Sequence, residues 1–311
     1  MDELKKRQLV AFDVERARKQ GLPMVALETA VVTHGLPAPQ NLILAQDMEQ
    51  VVRTHGATPA TIGILEGKII VGMNQLELEQ LAAEDDPLKI SPRNFATALL
   101  QGRAGGTTVA GTMVAASAAG IKVMATGGIG GVHREHRFDV SSDLKALAEI
   151  PMLVVCAGAK SILDLPATLE YLETMNVPVI GYRTNKFPEF FSTGKRYPVG
   201  LSLDTTEDIA RFVYYHWGLG LKSAVLVCQQ VPSHAAFEVA DAEAVEQKAS
   251  HEALEQKVSG QQLTPFLLKR VNELSNGKSM RANLALLLNN AELAAGIARA
   301  MTDFQRQQSI I

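Results

Sequence analysis

The chain has two cysteines in 311 residues, no uninterrupted apolar run long enough to span a bilayer, and little net charge. Each lack excludes something. Two cysteines cannot build a disulfide scaffold; Cys156 and Cys228 each close an apolar strand-like run and read as small buried packing residues in a reducing compartment. The most apolar stretch, Val109–Ala125, is broken by Gly111, Gly120 and Lys122, so no membrane span is expected. The first residues, MDELKKRQLV, contain no signal-peptide apolar region, which points to a soluble, cytoplasmic protein. A net charge of −3 argues against a broad basic surface for a nucleic acid polymer, although a pocket could still take a nucleotide-sized molecule. No internal repeat, low-complexity segment or Ser/Gly linker divides the chain, so residues 1–311 are expected to form a single domain.

What is present is an alternation of short apolar runs with helical periodicities, which argues for a three-layer α/β/α arrangement. An amphipathic segment, Asp2–Gln20, is predicted helical and stopped by Gly21 and Pro23; Met24–Leu27 is then a buried strand with Glu28 at its tip. A carboxylate there is costly unless solvated, paired or functional. A turn-rich loop and a helix, Gln40–His55, follow. Ala60–Leu65 and Lys68–Val71 flank Glu66-Gly67, a hairpin signal, and Asn74 suits the cap of a short helix. Leu88–Ile90 reads as a brief strand and Arg93–Gln101 as a helix. Gly105–Thr108 opens an Ala-rich helix to about Ala119, a place where free amides and hydroxyls could cradle an anion. Later strands are predicted at Val177–Gly181 and Ala224–Cys228, with helices over Leu163–Met175, Thr205–Trp217, Glu238–Val258, Thr264–Leu274 and Ser279–Gln305.

The organising stretch runs from Val123 to Leu165. Val123–Thr126 and Met152–Ala157 are apolar runs closed by small residues, as in strands buried on both faces, and their exits should face one crevice. There the amides of Gly127, Gly128, Gly130 and Gly131, the hydroxyls of Ser141 and Ser142, the carboxylates of Asp139 and Asp143 and the amine of Lys160 converge, a set suited to a phosphate or polyol with an added nucleophile. GGIGG is not a dinucleotide fingerprint. His133 and His136 lack a third nearby nitrogen or sulfur ligand for zinc, whereas Asp139 and Asp143 beside serines suit Mg²⁺ or Mn²⁺. The plainer reading makes Ser141 or Ser142 a helix cap and Asp143 a complement to the helix dipole. Lys160 emerges from a wholly apolar or small run, Met152–Ala159, where desolvation would lower its pKa and leave a neutral nucleophile.

At these residues the sequence resembles the pseudouridine-5′-phosphate glycosidases, also called pseudouridylate synthases, over roughly Pro23–Ala300. The motifs are VALE (Val25–Glu28), THGLPAPQN (Thr33–Asn41), TGGIGGVHR (Thr126–Arg134), FDVSSDL (Phe138–Leu144), VCAGAKSILDL (Val155–Leu165) and TPFLL (Thr264–Leu268). The resemblance implies an indigoidine synthase A-like fold, α/β/α with a mixed, largely parallel sheet, and a homotrimer. It implies reversible cleavage of the C–C glycosidic bond of pseudouridine 5′-phosphate to uracil and ribose 5-phosphate, a hydro-lyase class reaction of pseudouridine catabolism. Lys160 would be the nucleophile that forms an imine with C1′, and Glu28 the proton donor. Lys89, Thr108, the amide of Val109, Thr126, His133, Ser141, Ser142, Asp143 and Asn283 would contact substrate. Asp139 would hold one Mn²⁺ per subunit, with Asp143 the alternative ligand.

Four positions depart from the family pattern: Ala30 for Thr, Asn94 for Asp, Gly111 for Ser and Gln229 for Asn. None is a proposed catalytic position, so they bear on substrate detail. Two other readings stay open: a C-glycosynthase joining ribose 5-phosphate to another acceptor, and a non-catalytic sugar-phosphate binder. Retention of both Glu28 and Lys160 argues against the second.

Overall fold

The computed structural model describes residues 7–134, 139–258 and 263–308. His136, Phe138 and residues 2–6 of the expected first helix lie outside them. The described chain begins with β1 (Gln8–Val10) and α1 (Phe12–Gln20), which ends on Gly21 in the left-handed conformation. Next come β2 (Met24–Leu27), a π-helical turn over Val31–Gly35, and α2 (Gln40–Thr54). β3 (Thr58–Leu65) and β4 (Lys68–Val71) form the expected hairpin, with Glu66 and Gly67 both at positive φ, as a two-residue turn of this hand requires. α3 (Gln75–Ala82) starts with a reciprocal capping box between Asn74 and Glu77.

β5 (Leu88–Ile90) and α4 (Phe95–Gln101) lead to β6 (Gly105–Thr107) and α5 (Val109–Ala118), whose cap is Thr108. β7 (Val123–Ala125), β8 (Val132–His133), α6 (Ser142–Glu149) and β9 (Leu153–Cys156) form the organising stretch. β10 (Leu163–Asp164), α7 (Leu165–Thr174), β11 (Val179–Tyr182), β12 (Leu201–Leu203), α8 (Thr206–Gly218) and β13 (Val225–Cys228) follow. The C-terminal helices are α9 (Val239–Glu255), α10 (Leu263–Leu274) and α11 (Lys278–Gln308).

The main sheet has the order β1-β4-β3-β2-β7-β9-β13-β11-β12, with β6 also on β3 and β5 on β6. Pairings are parallel except β3 with β4 and β3 with β6, which gives the mixed, largely parallel sheet expected. Helices cover both sides: α11 packs on β2, β7 and β9 and against α2 and α8, while α5 packs on β2, β3 and α6. The central strands β9 and β13 are buried along their whole length, the pattern of a sheet covered on both faces. Cys156 and Cys228 sit in register on these strands, fully buried with their Sγ atoms 3.7 Å apart, and serve as packing residues.

Three expectations need correction. Gln8–Val10 is a strand, not helix, because it adds in parallel to β4 at the sheet's edge. Gly105–Thr107 is a strand rather than a loop; the glycines let it lie close to its neighbours, since a Cβ on Gly105 would come within 2.6 Å of Ile90. Leu163 and Asp164 belong to β10, paired antiparallel with β8, and the helix starts only at Leu165. Residues 201–203, unassigned in the sequence, form a parallel edge strand on β11.

Candidate active site

Adjacent parallel strands β2, β7 and β9 end at one edge of the sheet, and their exits carry Glu28, the Thr126–Gly131 loop and Lys160. One cleft opens there, lined by Glu28, Lys89, Lys160, Asn283, Gly127 and Gly128. It is completed by Ala30, His34, Phe190, Leu268 and Leu287 among others. The groups are thus brought together from strand exits far apart in sequence.

Glu28 is 9% exposed and accepts a 2.5 Å hydrogen bond at Oε1 from the Thr126 hydroxyl. Burial pushes its carboxyl above the ordinary range; the Lys160 charge and the Thr126 bond oppose this without reversing it. A carboxyl so placed holds its proton at higher pH, as a proton donor must. Lys89 is half-buried on β5, and burial, followed by the like charge of Lys160, pulls its ammonium below the ordinary value. Lys160 itself is half-buried, and the strand it emerges from, β9, is buried along its whole length.

Thr126, expected against substrate, is fully buried and addressed to Glu28. Asp143 is likewise engaged: Oδ1 accepts from the Ala110 N–H at 2.9 Å and Oδ2 from the Gly130 N–H at 2.8 Å, and the residue is 4% exposed. Its carboxylate ties the start of α5 to the glycine loop, one oxygen accepting from each. Ser141 caps α6, its hydroxyl accepting from the Asp143 N–H at 3.2 Å. Ser142 is exposed at the first position of that helix. At the start of α5, Gly111 donates to the Thr108 hydroxyl and Thr112 to the Thr108 carbonyl. The Val109 N–H has no acceptor among the described residues, which leaves it available to an anion.

His133 on β8 and Asp139 do not line the cleft; the His133 N–H donates to the Asp139 carbonyl at 3.1 Å. Among the described residues, no three His, Cys, Asp or Glu side chains converge as a metal cluster. A single carboxylate such as Asp139 suits an ion that keeps most of its water or shares a substrate oxyanion, as Mg²⁺ and Mn²⁺ do.

His34 and Phe190 are among the cleft residues that sequence reasoning missed. His34 sits beside Lys89; burial, then the Lys89 charge, lowers its pKa, and its Nδ1 is 2.6 Å from the Thr33 hydroxyl. Phe190, at a φ of 61°, lies over Gly128, where a Cβ would come within 2.7 Å of the ring. The THGLPAPQN motif marked His34's neighbourhood, but nothing local marks Phe190.

An indigoidine synthase A-like family model matches residues 13–300. A pseudouridine-5′-phosphate glycosidase of Geobacillus kaustophilus is 47% identical over 292 residues, 93% of this chain and 97% of that protein. The chain belongs to the pseudouridine-5′-phosphate glycosidase family. Two solved structures have a similar fold. An indigoidine synthase A-like protein from Thermotoga maritima is 35% identical, with a TM-score of 0.87 over 95% of this chain and 96% of that one. The prealnumycin C-glycosynthase AlnA, in complex with ribulose 5-phosphate, is 37% identical, with a TM-score of 0.89 over 96% and 98%.

The departures from the family pattern gain local meaning. Asn94 accepts from the Ser91 N–H at 2.8 Å and donates to the Lys89 carbonyl at 2.9 Å, a donation an ionised Asp could not make. Gly111 lets α5 approach β5: a Cβ there would lie 2.5 Å from the Ile90 carbonyl. Gln229 donates to the Asn289 carbonyl and to Asn290 Oδ1, whose amide in turn donates to the Thr126 carbonyl. Ala30 lines the cleft.

Proposed function

We propose that the chain cleaves pseudouridine 5′-phosphate to uracil and ribose 5-phosphate through an imine on Lys160. The observation that carries this reading is a lysine sharing one cleft with a buried carboxyl whose pKa is raised, in a chain 47% identical to a protein of that name. The bond to be broken joins carbon to carbon, so protonating a leaving nitrogen is no route. Glu28 gives its proton to the ring oxygen as the C1′–O4′ bond opens, and Lys160 Nζ adds at C1′ and sheds a proton. The C1′–C5 bond then breaks, its electron pair going to C5, which takes a proton, while the nitrogen lone pair forms the C=N bond. Water adds to C1′, the amine leaves, and open-chain ribose 5-phosphate is released. The 5′-phosphate lies against Lys89 and the free amide of Val109, remote from the reacting bond, where its binding energy can orient the ring.

Asp139 would hold a divalent cation, Mn²⁺ in this reading, through one carboxylate and water. Such an ion supplies positive charge to oxygen ligands of an anionic substrate when bound. A homotrimer in the cytoplasm is part of the same proposal; among the described residues no helix is long and apolar enough to cross a membrane. Incubation with pseudouridine 5′-phosphate and Mn²⁺ should release free uracil, and its absence would refute the reading. The likeness to a C-glycosynthase supports one alternative, in which the Lys160 imine of ribose 5-phosphate meets a different carbon acceptor. Turnover of ribose 5-phosphate with such an acceptor but not with uracil would favour it.

A further inference from the structure

Lys160 is the first residue of a turn rather than the last of a strand, and something must hold that turn. Its own N–H donates to the Ile129 carbonyl at 3.1 Å, and its carbonyl accepts from the Leu163 N–H at 3.0 Å. The next outward carbonyls, of Ser161 and Leu163, belong to residues only 6% and 2% exposed, so solvent is a poor partner for them. Both accept from one guanidinium: Arg134 Nη2 reaches the Ser161 oxygen at 2.5 Å and Nε the Leu163 oxygen at 3.1 Å. Arg134 follows β8 directly, and β8 pairs with β10 through His133 opposite Leu163 and Val132 opposite Asp164. The guanidinium therefore continues the ladder one step toward the lysine. Its own place is set by Glu246 of α9, 3.4 Å away, whose side chain is 4% exposed.

We propose that Arg134, braced by Glu246, is a positioning residue for Lys160: its forked contact fixes the turn that aims the amine into the cleft. The proposal rests on the imine reading of Lys160. Arg134 does not line the cleft, so it acts through the backbone carbonyls and not on substrate. The planar fork is the reason arginine stands here. A lysine ammonium is a point charge on a flexible stem and cannot hold two carbonyls in a fixed geometry. A misplacement of about 1 Å at a reacting group can cost about a hundredfold in rate, so loosening the turn should show in chemistry before it shows in binding.

The test compares wild type, Arg134→Lys and Glu246→Gln. Borohydride trapping with saturating ribose 5-phosphate gives the rate constant of adduct formation and the final labelled fraction; uracil release gives kcat and KM for pseudouridine 5′-phosphate. Arg134→Lys should slow trapping and kcat by about 10- to 100-fold, with KM within about twofold and the final labelled fraction unchanged. Glu246→Gln keeps both carbonyl contacts and weakens the brace, so it should give a smaller loss in the same rate constant. Should Arg134→Lys fail to fold, Glu246→Gln decides alone, and an unchanged rate constant there overturns the proposal. A variant that labels a smaller fraction at the wild-type rate also overturns it, because the role would then be structural only. No adduct in wild type refutes the imine reading and this proposal with it. Adduct in wild type, formed as fast in Arg134→Lys, refutes the positioning role alone.

Discussion

Replacing Glu28 by Gln separates the order of events at C1′. The amide keeps the side chain's shape and an oxygen able to accept the 2.5 Å bond from Thr126, but has no proton to give. General acid catalysis by one positioned group is worth about 10²- to 10⁴-fold, so kcat for uracil release should fall by that much. Borohydride should then fail to label the variant with pseudouridine 5′-phosphate, whose ring must be opened first. Ribose 5-phosphate already populates its open aldehyde in solution, and Lys160 should still condense with it and be labelled. Equal labelling by both substrates would refute Glu28 as the ring-opening acid. Stability gives an independent check. The unfolded chain releases this proton near the ordinary value of 4.5, whereas the folded chain retains it to higher pH. Wild-type stability should therefore fall as pH rises from about 4.5 through the raised folded value, a contribution that Glu28→Gln removes. Urea unfolding at several pH values measures it, and identical pH slopes for the two proteins would show that burial does not raise the Glu28 pKa.

Lys160→Ala should abolish uracil release while leaving the thermal unfolding midpoint near wild type; near-normal turnover would end the imine mechanism. Lys89→Ala should raise KM by roughly ten- to hundredfold, the worth of a charge-assisted contact of about 1.5–3 kcal/mol, and unphosphorylated pseudouridine should be a poor wild-type substrate. Cleavage of nucleoside and nucleotide alike would remove the phosphate from Lys89. Asp143→Asn turns one of two accepting oxygens into a donor facing an amide, which should cost about 1–3 kcal/mol in urea unfolding; an unchanged midpoint would contradict the Ala110–Gly130 tie. Gly130→Ala places a Cβ 2.6 Å from that of Ser141, so folded yield and turnover should both drop, as circular dichroism and uracil release would report.

Features closed within a few residues were legible in the sequence. The Asn74 capping box, the Glu66-Gly67 hairpin and the Ser141 and Thr108 caps are satisfied by backbone two or three positions away, so local chemistry determines them. The buried strands β7 and β9 announced themselves by composition, and Glu28 and Lys160 by standing at the tips of apolar runs. The roles proposed for them, acid and nucleophile, rest also on rare motifs shared with a family. Tertiary structure decided the rest, because the deciding partners are distant. Gln8–Val10 is amphipathic enough for helix, and only an open edge on β4 makes it a strand. Asp143 finds its hydrogen-bond donors in amides 33 and 13 residues away, which no local pattern marks. Thr126 could have faced substrate, but across 98 residues its hydroxyl reaches Glu28. A side chain's short range fixes which partners it can satisfy, and the packing of the sheet alone determines which of them come within that range.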